Sequence, residues 1–138
     1  MVESVLLSAE ERACVDAVLA RLSQASKYPL SLEGLVSQWS RFVTSVEQGY
    51  SGSLYDYTND IAARDVLKEI LLEVFPSTRE KLSSFVKPLD VRFDEATREV
   101  KRMLLPSVRR EASPWWRRVP KILSDELKTD LLTEGILE

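Results

Sequence analysis

Histidine is absent from this 138-residue chain, cysteine occurs once and glycine four times. The missing imidazole removes Ser-His-Asp and Cys-His arrangements, a His general base and every His-ligated metal. One cysteine, Cys14, cannot form an intramolecular disulfide, and zinc sites built from Cys and His are excluded with it. Metal chemistry would rest on carboxylates alone, a donor set suited to Mg or Ca. Four glycines, at Gly34, Gly49, Gly52 and Gly135, leave no Walker loop and no G-x-G-x-x-G fingerprint. Apolar runs such as Ile70-Leu71-Leu72 fall far short of the roughly 20 residues that span a bilayer. Met1-Val2-Glu3-Ser4 carries no basic leader. These absences together lead us to expect a cytoplasmic chain with no cofactor and no membrane segment.

What is present is the composition of one folded domain over residues 1–138: 44% hydrophobic, 30% charged, net charge −3. Helical periodicity dominates. Ser8-Ala9-Glu10-Glu11 reads as a capping box, followed by Val15, Val18, Leu19 and Leu22 at i, i+3, i+4, i+7. That helix is expected to fade near Ser26, ahead of Tyr28-Pro29. Cys14 lies in it among Ala13, Val15 and Val18, as a small packed hydrophobe. Neighbouring Glu10, Glu11 and Asp16 disfavour a thiolate.

Ser31 is the next cap. Leu32, Leu35, Val36, Trp39, Phe42, Val43 and Val46 keep helical spacing up to Gly49, which predicts a central helix. Ser53 is expected to cap a third helix through Leu54, Tyr57, Ile61, Leu67, Ile70, Leu71 and Val74. Its stripe drifts between Ile61 and Val66, so a kink or a restart near Thr58-Asn59-Asp60 is allowed for. Ser77-Thr78-Arg79-Glu80 reads as a second capping box. Helical spacing then runs from Leu82 to Met103 across Pro88, which predicts a kink or break near Lys87. From Leu104 to Leu123 the period is lost, and Pro106, Pro114 and Pro120 accompany Trp115-Trp116. Ser124 should cap a last short helix with Leu127, Leu131 and Leu132, stopped at Gly135. No stretch alternates long enough for a sheet. The expected fold is all-α: a single-domain bundle of about five helices, with an irregular Pro/Trp/Arg-rich segment before the last one.

Two groups of residues carry candidate chemistry. In Tyr55–Asp65, the residues Asp56, Asp60 and Arg64 recur every four positions and share one helix face. Asp60 can pair with Arg64, with Tyr57 and Asn59 beside it, and Glu47 and Tyr50 precede the turn that leads in. One reading is a polar pocket in which Arg64 binds an anionic group. The other is a solvated face with surface ion pairs. Catalytic patterns and convincing carboxylate metal sites are not found, so an enzyme is not expected.

The second group is a basic arm over residues 98–121. It holds eight basic residues against two acidic ones, net +6, which leaves −9 on the rest of the chain. Within it, Arg109, Arg110, Arg117 and Arg118 flank Trp115 and Trp116. Such a set suits a protein interface, or phosphate binding with base stacking, or neutralisation of its own acidic bundle with the tryptophans docked on the core. The acidic remainder disfavours nucleic acid.

The spacing Trp39-x-x-Phe42-Val43-x-x-Val46-Glu47-x-Gly49-Tyr50, then Tyr57-x-Asn59-Asp60-x-x-x-Arg64-Asp65-x-Leu67, resembles short helical bacterial proteins with no activity attached. The resemblance covers residues 39–67 and implies a bacterial cytoplasmic origin. It also directs attention to Glu47–Asp65. The functional expectation is a non-enzymatic protein-interaction domain, immunity- or regulator-like, with an unidentified protein partner and an open oligomeric state. Anion or small-molecule binding at Tyr57, Asp60 and Arg64 is the alternative; nucleic-acid contact through the arm is the third reading.

Overall fold

Seven large side chains on one stripe should organise a core, and they do. In a computed structural model, which describes residues 7–23, 31–102, 104 and 114–137, helix α2 (Leu32–Gln48) buries Leu32, Leu35, Val36, Trp39, Phe42, Val43 and Val46. The Ser31 hydroxyl accepts from the Gly34 amide at its start, and Gly49, at φ 94°, closes it with an N–H to the Val46 carbonyl. Helices α1 (Ala9–Ser23), α3 (Leu54–Glu73), α4 (Pro76–Ala96) and α5 (Asp125–Thr133) complete a five-helix bundle among the described residues. The all-α, single-domain expectation is met. The anticipated end of α1 near Ser26 lies outside the described residues.

Helix α3 is one continuous helix over Leu54–Glu73, so it does not restart at Thr58-Asn59-Asp60. Its stripe drifts for a different reason. Helices α1, α2, α4 and α5 and the 3-10 turn at Pro114–Arg117 all pack on it. Buried positions therefore run around much of its circumference: Tyr57, Thr58, Ile61, Ala63, Arg64, Asp65, Leu67 and Ile70. A helix packed on several sides has no reason to keep a narrow apolar face. Ser53 and Asp56 form its capping box.

Three expectations about the following segment are corrected. Ser77 and Glu80 do not form a capping box. Phe75 is the N-cap with Pro76 in the first turn, a position where proline's missing N–H costs nothing. The Ser77 and Thr78 hydroxyls turn to Glu11 instead, at 3.2 Å each. Of the two alternatives at Pro88, a kinked helix or a break near Lys87, the break is the one corrected, because α4 is a single helix through Pro88. Finally, the helix stops at Ala96, short of Val100, and Met103 lies outside the described residues. Thr97–Glu99 (β1) pairs antiparallel with Arg118–Pro120 (β2), with Thr97 opposite Pro120, Arg98 opposite Val119 and Glu99 opposite Arg118. A three-residue ribbon is too short to show alternation in sequence. It begins where the Thr97 hydroxyl donates back to the Phe93 carbonyl at 2.7 Å.

The chain ends as expected. Ser124 caps α5, and after it Ile136 N–H reaches the Leu131 carbonyl and Gly135 N–H the Leu132 carbonyl, a Schellman closure with Gly135 at φ 71°. Cys14 packs half-buried against the core.

Glu11 ties α1 to α4. Its buried carboxylate accepts from Lys81 Nζ (2.6 Å), the Ser8 amide (2.9 Å) and the two hydroxyls of Ser77 and Thr78. The Lys81 ammonium, then the Ser8 amide and the hydroxyls, pull its pKa from 4.5 down to about 2. A carboxyl depressed in the folded state stabilises above its unfolded pKa and loses that contribution as pH falls toward the folded one. Thermal melts of wild type and Glu11→Gln are therefore expected to differ most above pH 4.5 and to converge as pH falls toward 2. A gap that stays constant over that window would show that ionised Glu11 does not hold α1 and α4 together.

Pro88 denies the Ser84 carbonyl its helical donor, and the residue is exposed. Pro88→Ala should raise urea-unfolding stability by about 1–3 kcal/mol. No gain would mean that the proline geometry is required by packing.

Candidate functional site

The two polar residues at the middle of α3, Arg64 and Asp65, are both buried. A buried charge is tolerable only with close partners. Arg64 finds its partner on α4: Nε donates to Asp90 Oδ1 at 2.9 Å and Nη2 to Oδ2 at 2.8 Å. This is a two-point guanidinium–carboxylate pair. Trp39 Nε1 on α2 donates to the same Asp90 Oδ1 at 3.0 Å. On its other side the Arg64 guanidinium lies 4.5 Å from the centre of the Trp115 ring, a cation–π contact.

Asp65 takes the other end of this chain of contacts. Trp115 Nε1 donates to Oδ1 at 2.8 Å and Trp116 Nε1 to Oδ2 at 2.6 Å. Consecutive tryptophans thus place both indole N–H groups on one carboxylate, which requires the 3-10 geometry of Pro114–Arg117. Trp116 is buried and Trp115 half-buried over Arg64. All three tryptophans of the chain, two aspartates and one arginine form one polar spine through α2, α3, α4 and the 3-10 turn.

An aromatic cluster sits beside the spine. Phe42, Tyr50 and Tyr57 meet edge-on at centroid distances of 5.2–5.4 Å, and Trp39 and Phe93 extend the group. Tyr50 OH donates to Asp60 Oδ2 at 2.8 Å, and Tyr57 OH to the Arg118 carbonyl at 2.9 Å. Burial, and for Tyr50 also the Asp60 carboxylate, push both phenols above their ordinary pKa, so neither is a base at neutral pH. Arg118 reaches back to the Thr97 hydroxyl at 2.8 Å and to the carbonyls of Asp94 and Thr97 at 3.1 Å, which clamps the ribbon onto the end of α4.

The residues singled out in sequence are therefore dispersed into separate pairs. Asp60 and Arg64, expected as partners, are not paired: Asp60 serves Tyr50 and Gln38, and Arg64 serves Asp90. The reason is packing, because the α4 carboxylate reaches the buried guanidinium and excludes it from the α3 surface. Asn59 is exposed, and Glu47 is held by Arg92 through two contacts at 3.0 and 2.5 Å. That pairing lowers the Glu47 pKa and raises that of Arg92. Arg117 is exposed; Arg109 and Arg110 lie outside the described residues. Among the described residues no group of His, Cys, Asp and Glu is placed to hold a metal ion.

Sequence reasoning missed Asp90 and gave Trp39 no polar role. The only signal for Asp90 was a lone carboxylate between Leu89 and Val91, two residues past Pro88. Chemically, the charges of the spine are matched: each of its two carboxylates accepts from tryptophan, and Arg64 is neutralised by Asp90. Arg64 Nη1 alone is buried with no hydrogen-bond partner. Such an arrangement fixes a segment in place; it does not present a nucleophile or a base. No family model, curated protein or solved structure matches this chain.

Removing Asp90 strands a buried cation. Asp90→Asn is expected to cost about 3–5 kcal/mol in urea unfolding, and Arg64→Leu/Asp90→Leu to cost less than that single change. Asp65→Asn leaves one indole without an acceptor, at about 1–3 kcal/mol, and should shift tryptophan emission to the red as Trp115 and Trp116 loosen. Unchanged emission would mean that the tryptophans dock without this carboxylate.

Proposed function

We propose that this chain is a non-enzymatic protein-interaction domain of the bacterial cytoplasm, immunity- or regulator-like, that acts by presenting a surface to another protein. The observation that carries the reading is where large apolar side chains are left exposed. Leu72, Phe75 and Val91 are exposed singly or at the α3–α4 junction, whereas Tyr55, Ile122 and Leu132, at 78%, 58% and 44% exposure, lie on segments that meet. Their segments converge on the α2–α3 turn: Tyr50 bridges to Leu123, and the Leu54 amide donates to Asp130 at 2.9 Å. Exposed aromatic and aliphatic groups on neighbouring segments suit a protein partner. Internal pairing of Glu47, Asp60, Arg64 and Asp65 supports the same reading, because those groups already hold the fold.

The alternative, anion binding at Tyr57, Asp60 and Arg64, has one observation in its favour, the unpartnered Arg64 Nη1. Its Nε and Nη2 are already bound to Asp90.

Affinity capture from the source organism, followed by reconstitution with the purified partner, tests the proposal. A stoichiometric complex that Tyr55→Ala and Ile122→Ala weaken is expected. A clean monomer with no reproducible partner would count decisively against it. In parallel, phosphate and small carboxylates should leave the melting temperature unchanged, since any ligand that binds only the native state raises it. A concentration-dependent rise abolished by Arg64→Leu would favour the anion-binding alternative.

A further inference from the structure

Most described bundle cations are engaged within the fold, although Arg41, Lys68, Lys87 and Lys128 form no ion pair with another described residue; on the ribbon only Arg118, paired with Asp94, is engaged in that way. Arg12, Arg21, Arg64, Lys81 and Arg92 each hold a carboxylate, respectively of Glu33, Glu73, Asp90, Glu11 and Glu47. Arg79 is spent on the last carbonyls of α3. Arg98, Lys101, Arg102, Arg117 and Lys121 are all exposed, and none is ion-paired to another described residue. The β1–β2 pairing gathers them. Lys121 N–H bonds the Ala96 carbonyl at 2.9 Å, Val100 N–H the Arg117 carbonyl at 2.7 Å and Leu104 N–H the Trp116 carbonyl at 2.8 Å. At a strand spacing of about 4.8 Å and a rise of about 3.4 Å per residue, the five cations fall within roughly 20 Å.

We propose that the docking surface extends from Ile122 onto this ribbon, and that the partner docked there is an acidic amphipathic protein segment. The inference rests on the protein-interaction reading and names where and what it binds. Charge complementarity selects the partner's carboxylates. Ile122, exposed directly after Lys121, supplies an apolar contact beside them. The acidic first turn of α5, Asp125 and Glu126, borders Lys121 and Ile122 in sequence and confines a partner's carboxylates to the ribbon side. Nucleic acid fits less well. The two tryptophans that would stack on bases have their indole N–H groups on Asp65, and Trp116 is buried. Asp94, Glu95 and Glu99 also stand exposed among the cations, so a partner has to set its negative charges against the cations and away from these three, which the discrete carboxylates of a peptide can do and a continuous phosphate backbone cannot.

The full chain, isotope-labelled for NMR, should be titrated with three probes: a synthetic acidic peptide with Glu and Leu at helical spacing, oligo-dT, and phosphatidylserine vesicles. The peptide is expected to shift the amides of residues 98–102 and 117–122 and to weaken with salt. Its Glu-to-Gln version should fail to bind. R98E/K101E/R102E and, independently, R117E/K121E should each weaken binding about tenfold or more. Both variants replace exposed side chains, so their melting curves should match wild type. Equal binding by folded charge-reversed chains would overturn the proposal, as would tighter binding of oligo-dT or of vesicles. A captured native partner that binds R98E/K101E/R102E as tightly as wild type would sink this surface and leave the protein-interaction reading standing. Failure to capture any partner would sink that reading instead.

Discussion

A carboxylate that is only 4% exposed must be surrounded by donors, and Asp65 meets that demand with two adjacent indoles. Leaving it unsatisfied in the interior would cost several kcal/mol. The demand therefore fixes where Pro114–Arg117 lies, and with it the strand that follows. Once Trp115 is seated on Asp65, its ring covers the Arg64 guanidinium, and that guanidinium fixes Asp90 of α4. Trp39 closes the chain from α2. Four elements of the fold are thus registered by hydrogen bonds whose geometry is far more restrictive than apolar contact.

This polar spine explains why an arm rich in proline and arginine settles on the bundle. The tryptophans carry both the apolar area and the N–H groups that a half-polar groove needs. Burial of their rings leaves Arg117 outside. The Arg118 guanidinium instead ties the ribbon to the last turn of α4. Behind the net charge of −3, five described cations of the bundle hold carboxylates on neighbouring elements, while Arg98, Lys101, Arg102, Arg117 and Lys121 around the ribbon are exposed and hold none among the described residues.

Much of the fold was legible because helix caps and apolar spacing are local signals. Ser8, Ser31, Ser53 and Ser124 all act as read, and so do the seven apolar residues of α2. Pro76 misled because proline and serine both mark helix starts, and position decided between them. The candidate site was legible only in part. Arg64 and Asp65 stood out as charged residues in an important stretch, but i, i+4 spacing offered Asp60 as the arginine's partner. Asp90, 26 residues on from Arg64, reached it across the bundle. Spacing along one helix carries no information about a carboxylate on another.

The sequence by itself determined the helical class, most helix boundaries, the central place of α2 and the absence of His-dependent chemistry. Those follow from local backbone preference and residue inventory. Only the tertiary structure decided which aspartate neutralises Arg64, that Trp115 and Trp116 share Asp65, and that residues 97–99 leave the helical period to pair with 118–120. Each of these joins residues at least 19 positions apart, and the desolvation cost of buried charge, not any local propensity, selects the pairing at Arg64 and Asp65.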